Sequence, residues 1–184
     1  MILASASPRR AELLASAGYT FGVRPVDLDE TPLDGELPTD YVARLSRAKA
    51  AAAIVHAEPG AVVLAADTTV VAKGRILGKP ADAADASEML RQLSGETHEV
   101  HTAVTVRVSD RERSEVVTSR VRFVPLTEDE IAWYVATGEP EGKAGGYAIQ
   151  GRAARFVDWI EGSWSNIVGL PVATVHRLLR EIGP

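Results

Sequence analysis

Six consecutive apolar residues, Ala61 to Ala66 (AVVLAA), run directly into Asp67-Thr68-Thr69. A strand with one wet face alternates apolar and polar residues, whereas an unbroken apolar run reads as a strand covered on both faces. Val70 and Val71 extend the run to a Lys73-Gly74 turn, and Arg75 to Leu77 return as a hairpin. A carboxylate therefore stands at the end of a buried strand, where open α/β sheets place their ligand groups.

The flanking sequence supplies helices and further strands. Ile2 to Ala4 is a short apolar run. Ser7 then reads as an N-cap and Pro8 as the first helical residue, with Leu13, Leu14 and Ala17 on one side and a stop near Gly18. Thr39 reads as the cap of a helix to about Val55, whose inward stripe is Val42, Leu45, Lys49 and Ala52. A helix is predicted from about Asp82 to Leu93. Two long strands follow near Glu99–Val108 and Glu115–Val124. Thr127-Glu128-Asp129-Glu130 is a capping box. Gly142 to Gly151 is a glycine-rich loop, Phe156 to Ile160 a strand, and Pro171 precedes a last amphipathic helix with Val175, Leu178, Leu179 and Ile182. The expectation is one domain over residues 1–184: an α/β fold with a curved mixed sheet, flanking helices, and a ligand in a cleft between two lobes or outside strand ends.

The net charge of -5 argues against a nucleic-acid partner, which needs a basic footprint. With no cysteine, thiolate metal sites, disulfides and a cysteine nucleophile are excluded. Arg9 and Arg10 follow the first apolar residues, the reverse of a signal peptide, and no run approaches the ~20 apolar residues of a membrane span, so a cytoplasmic location is expected.

Several residues could carry chemistry. Ser5, Ser7, Arg9 and Arg10 gather two hydroxyls and two guanidiniums at a helix start, which suits a phosphate; a capped surface helix with solvated arginines is the plainer reading. Lys49 on an apolar stripe either snorkels to water or turns inward to an anion. Asp67 is placed to hold Mg²⁺ or act as a general base, unless it only caps a turn. Glu30, in an acidic loop, is the natural second carboxylate. Lys79 stands at the tip of Gly78-Lys79-Pro80, and the Gln150 amide stands between glycines, suited to a base edge or a phosphate; each also reads as an ordinary polar loop residue. The four histidines lack metal-binding spacing. Trp133, Trp159 and Trp164 read as core or interface anchors. Cations for a polyanion and carboxylates for a bridging metal share one logic, that of a triphosphate site.

Ser5-Ala6-Ser7-Pro8-Arg9-Arg10, Asp29-Glu30-Thr31-Pro32, Arg47-Ala48-Lys49-Ala50, Ala66-Asp67-Thr68, Gly78-Lys79-Pro80, Ser94-Gly95, Lys143-Ala144-Gly145, Tyr147 to Gly151 and Val168-Gly169-Leu170-Pro171 together resemble the Maf family, in its order and spacing. Ala6 stands where that family often has glycine. The resemblance implies a fold similar to inosine triphosphate pyrophosphatases, often as a homodimer. It also implies metal-dependent (Mg²⁺ or Mn²⁺) hydrolysis of a nucleoside triphosphate to monophosphate and pyrophosphate, a house-cleaning role. Asp67 matches the family's proton acceptor. Arg10, Thr68 and Gln150 match positions tied to substrate choice and look like the subfamily acting on dTTP and UTP. The alternatives are a 7-methyl-GTP or modified-purine enzyme, and a non-catalytic nucleotide binder linked to septum formation.

Overall fold

The computed structural model describes residues 1–183. The apolar run forms β3 (Val62–Ala72), the spine of a seven-stranded sheet. On one side β3 pairs in parallel with β1 (Ile2–Leu3), which pairs in parallel with β2 (Gly22–Val23). On the other side lie β5 (Thr97–Val108), β6 (Arg111–Phe123) and β7 (Val157–Glu161), giving the order β2-β1-β3-β5-β6-β7. β4 (Arg75–Leu77) folds back on β3, antiparallel, through Lys73 and Gly74, both at positive φ. The sheet is mixed, as expected. β2, only two residues long, has no sequence pattern to announce it.

The helices are α1 (Pro8–Ser16), α2 (Pro38–Ile54), α3 (Ala83–Leu93), α4 (Glu128–Val135), α5 (Trp164–Val168) and α6 (Val172–Ile182). Thr127 makes its full capping box, and Asp82 accepts the Asp85 N–H at 2.8 Å. Two expected caps are not made. Ser7 precedes α1 but accepts no helix N–H through its side chain. α2 starts at Pro38, one residue before the expected Thr39, because proline fits the first helical position, where an N–H has no partner anyway.

The chain divides into two compact units. The first comprises Met1–Thr68, Thr102–Val117 and Gly169 onward; the second comprises Thr69–His101 and Thr118–Val168. In the first, the period-two alternation of β3 explains its unbroken apolar run. Leu64 and Ala66 face α1 and α6, packing in one cluster with Leu14, Val175, Leu178 and Ile182. Val63 and Ala65 face α2, clustering with Ala50 and Ala53. The buried stripe of α2 closes on Ala53; Ala52, expected inside, is half-buried.

The second unit has its own core, built on Leu90 and Leu93 of α3, Ile131 and Tyr134 of α4, Phe123, Tyr147 and Phe156. Gly145 is at φ +70°, and a Cβ there would sit 2.9 Å from Val70, so only glycine lets the loop lie against β3. The three tryptophans are not core residues: Trp133, Trp159 and Trp164 are 41%, 40% and 46% exposed.

His98 is buried in this unit, bonded through Nε2 to the Tyr147 hydroxyl at 2.8 Å and edge-on to the Phe123 ring. Burial pushes its pKa down to about 4. The unfolded chain then binds the proton at higher pH than the folded one. Stability from this group is present above pH ~6.5 and is lost as pH falls through about 4. Urea unfolding between pH 7 and 4 should show a loss on the order of 3 kcal/mol from this group, and His98→Gln should flatten that slope.

Candidate functional site

The alternation that buries β3 also sorts the residues at the end of the first unit's segment. Asp67 shares the side of Val63 and Ala65 and so faces α2. Thr68 shares the side of Leu64 and Ala66 and so faces α1. Each side chain meets a cation from the helix it faces.

On the α2 side, Lys49 is buried and does not snorkel. Its Nζ donates to Asp67 Oδ1 at 2.6 Å and to Glu30 Oε1 at 2.5 Å. One ammonium thus bridges the two carboxylates that sequence analysis paired. Asp67 is 7% exposed, and burial raises its pKa above the ordinary carboxylate value even though Lys49 and Arg10 both pull it down. A carboxylate made more basic in this way is better suited to accepting a proton near neutral pH.

On the α1 side, Arg10 is buried and spends its fork on the protein. Nε donates to the Gly169 carbonyl at 2.8 Å. Nη1 donates to the Ala66 carbonyl at 2.8 Å and Ser5 Oγ at 3.0 Å, and Nη2 donates to Thr68 Oγ1 at 3.0 Å. Four of its five N–H groups are therefore engaged within the first unit. Burial lowers its pKa, partly offset by Asp67. Thr68 Oγ1 also pairs with Thr102 Oγ1 at 2.9 Å. Gly169, at φ +125°, turns its carbonyl toward Arg10 in a conformation that side-chain-bearing residues rarely adopt.

Ser5 is buried, and its hydroxyl also accepts the Ser7 N–H at 3.2 Å. This local turn replaces the expected Ser7 cap, so Ser7 Oγ is not spent on the helix. Ser7 and Arg9 are half-buried at the start of α1. The structure therefore brings together Ser5, Arg10 and Thr68 as one hydrogen-bonded group, and Glu30, Lys49 and Asp67 as another, both in the first unit. Lys79 and Gln150 belong to the second unit, both exposed, in the loop after β4 and in a turn within the glycine-rich stretch. Sequence analysis did not single out Thr102, Tyr41, Arg44 or Glu36. Tyr41 lies on the helical stripe of Lys49 and could have been found there; the Glu36–Arg44 pairing joins a loop to a helix and leaves no periodic signal.

A family model described as Maf-like protein matches residues 1–182. The chain belongs to the Maf family. Among Maf relatives, it is 54% identical over 187 residues to a dTTP/UTP pyrophosphatase of Anaeromyxobacter dehalogenans, covering 100% of this chain and 94% of that protein. It is 52% identical to a dTTP/UTP pyrophosphatase of Geobacter sulfurreducens, covering 100% and 96%. Among solved structures it is similar to the Ham1 protein of Staphylococcus aureus, with a TM-score of 0.44, 15% identity, and 66% of this chain and 70% of that chain covered.

Proposed function

We propose that this chain is a nucleoside triphosphate pyrophosphatase acting on dTTP and UTP. Full-length relatives with that activity in their names, 52% and 54% identical, carry the reading. In the reaction, a water oxygen attacks the α-phosphorus and the bond to the bridging oxygen of the β-phosphate breaks. The nucleoside monophosphate and pyrophosphate are released.

Asp67 is the proposed general base. Its raised pKa makes it a stronger acceptor than an exposed aspartate, and Lys49 fixes its orientation through Oδ1. Glu30 and Asp67 present oxygens to one cationic centre, and no third histidine, cysteine or acid joins them among the described residues. Two hard carboxylates suit Mg²⁺ or Mn²⁺, which take one or two such donors and leave the remaining positions to water and phosphate. A cation held there would supply charge to offset the phosphate oxygens. Lys49, Arg9, Ser5 and Ser7 supply further donors for the polyanion.

Arg10 is assigned a scaffolding share: it fixes Thr68 and the Ser5 turn rather than gripping phosphate with its fork. Lys79 and Gln150 keep the roles that the family resemblance implies, a cation for phosphate and an amide for the base. The span of the family match supports treating the chain as one functional domain. A house-cleaning role in the cytoplasm, extended to modified pyrimidine nucleotides, and a homodimer complete the reading. Exposed Trp159 and Ile160 on β7 offer apolar surface for the last.

Pyrophosphate release should be measured with dTTP, UTP, their 5-modified analogues, CTP, 7-methyl-GTP and the common purines, each with Mg²⁺, Mn²⁺ or EDTA. Metal-dependent release concentrated on dTTP and UTP is expected. A preference for 7-methyl-GTP would overturn the specificity, and silence on every nucleotide would leave a non-catalytic binder.

A further inference from the structure

Glu30 lies in a long stretch without helix or strand, between β2 and α2. No ladder or helix bond fixes its backbone, yet its carboxylate meets Lys49 at 2.5 Å. Contacts from the first two turns of α2 help to hold it. Tyr41 Oη donates to the Glu30 carbonyl at 2.9 Å. Arg44, one turn on along the same face, donates through Nη2 to the Thr31 carbonyl at 3.2 Å. Its Nε and Nη2 also grip the two oxygens of Glu36 at 2.6 and 2.7 Å. Glu36 Oε2 in turn accepts the Leu33 N–H at 3.0 Å. The Arg44 guanidinium lies 5.7 Å from the centre of the Tyr41 ring.

We propose that Tyr41, Arg44 and Glu36 form a clasp that presents the Glu30 carboxylate to Lys49, and are positioning residues for the reaction. This rests on the functional reading above. Tyr41 and Lys49 lie two turns apart on one face of α2, so a single helix holds Glu30 by its carbonyl and by its carboxylate. The clasp keeps its charges across the working range. Arg44 pulls the Glu36 carboxyl down to about 2, and burial with the nearby acids raises the Tyr41 phenol to about 12, so it stays a donor.

A simple loop staple would use the same contacts, but the two roles predict different outcomes. The pair is partly buried, with the Arg44 and Glu36 side chains 32% and 8% exposed, so a staple alone would show as lost global stability, with activity following the folded fraction. A small misplacement of a reacting group, in contrast, costs as much as ~100-fold in rate. Glu36→Gln, Arg44→Met and the double variant should be assayed with dTTP and Mg²⁺, with thermal unfolding alongside. Each single variant is expected to lower kcat about 10- to 100-fold with KM within about threefold, and the double variant should be no worse than either single. Arg44→Lys should fail to rescue, because an ammonium lacks the fork.

A kcat within about twofold of the wild type, or a loss of activity that follows only the unfolded fraction, would overturn the clasp. If the wild type itself releases no pyrophosphate, the functional reading fails on its own. The clasp is then decided by amide exchange at Thr31 and Leu33. Faster exchange in Arg44→Met upholds Arg44 as the group that fixes this loop, and unchanged exchange removes the clasp.

Discussion

Asp67→Asn is expected to lower turnover of dTTP about 10²- to 10⁴-fold while raising the unfolding temperature at pH 7. The two effects have one cause. Asp67 is buried, and burial raises its pKa more than Lys49 and Arg10 lower it. Between the unfolded and folded pKa values the folded protein therefore holds a proton that the unfolded chain has already released. The stability tied to this group is greatest below pH ~4 and is lost as pH rises through the folded pKa. Asparagine keeps the shape and does not titrate, so the gain over wild type should be largest at neutral pH and vanish toward pH 4. The loss of rate follows from losing the acceptor for the water proton. Turnover and urea unfolding on the same preparations check both halves. Wild-type turnover in the variant would remove Asp67 as the base. A variant less stable than wild type at pH 7 would mean that its bond to Lys49 outweighs its burial.

Such a trade of stability for basicity was partly legible in the sequence. The apolar run, the carboxylate that interrupts it and a lysine on an apolar stripe are each visible as breaks in a period, but the carboxylate expected at the strand's end lies mid-strand, because β3 runs on through Thr68 and Thr69 to Ala72. Strand parity puts Asp67 and Thr68 on opposite faces. What the pattern cannot supply is the partner. Arg10 and Ser7 look alike as polar residues at a helix start, yet Arg10 turns inward to two carbonyls 56 and 159 positions away, while Ser7 leaves its cap unmade. Those partners are set by which loops pass the helix start, a tertiary fact with no local signature. The same holds for the clasp on Glu30. Its loop is irregular, and only the folded chain reveals that Glu36 points back to Arg44. Of the two roles expected for the tryptophans, the core one does not hold for a related reason: their size suggests a core, but the second unit's core is filled by Phe123, Tyr134, Tyr147 and Phe156.

Lys49→Met is expected to cost about 3 kcal/mol at pH 7.5 in EDTA, with the loss shrinking as pH falls. Methionine fills the channel of the lysine stem but leaves the carboxylates facing each other without their shared ammonium. Most of the cost falls on Asp67, since the Glu30 side chain is 36% exposed and water screens it. Without the ammonium the folded pKa of Asp67 rises further, so acid, by protonating it, restores part of the stability. Metal linkage gives the sharper result. An ammonium and a divalent ion compete for the same two oxygens, so removing the first should strengthen binding of the second. Stabilisation by Mn²⁺ without nucleotide, which grows as RT ln(1 + [L]/Kd), should then be larger in Lys49→Met than in wild type. Equal stabilisation of both proteins would place the ion elsewhere and remove Glu30 and Asp67 as its donors, leaving Asp67 with the base role alone.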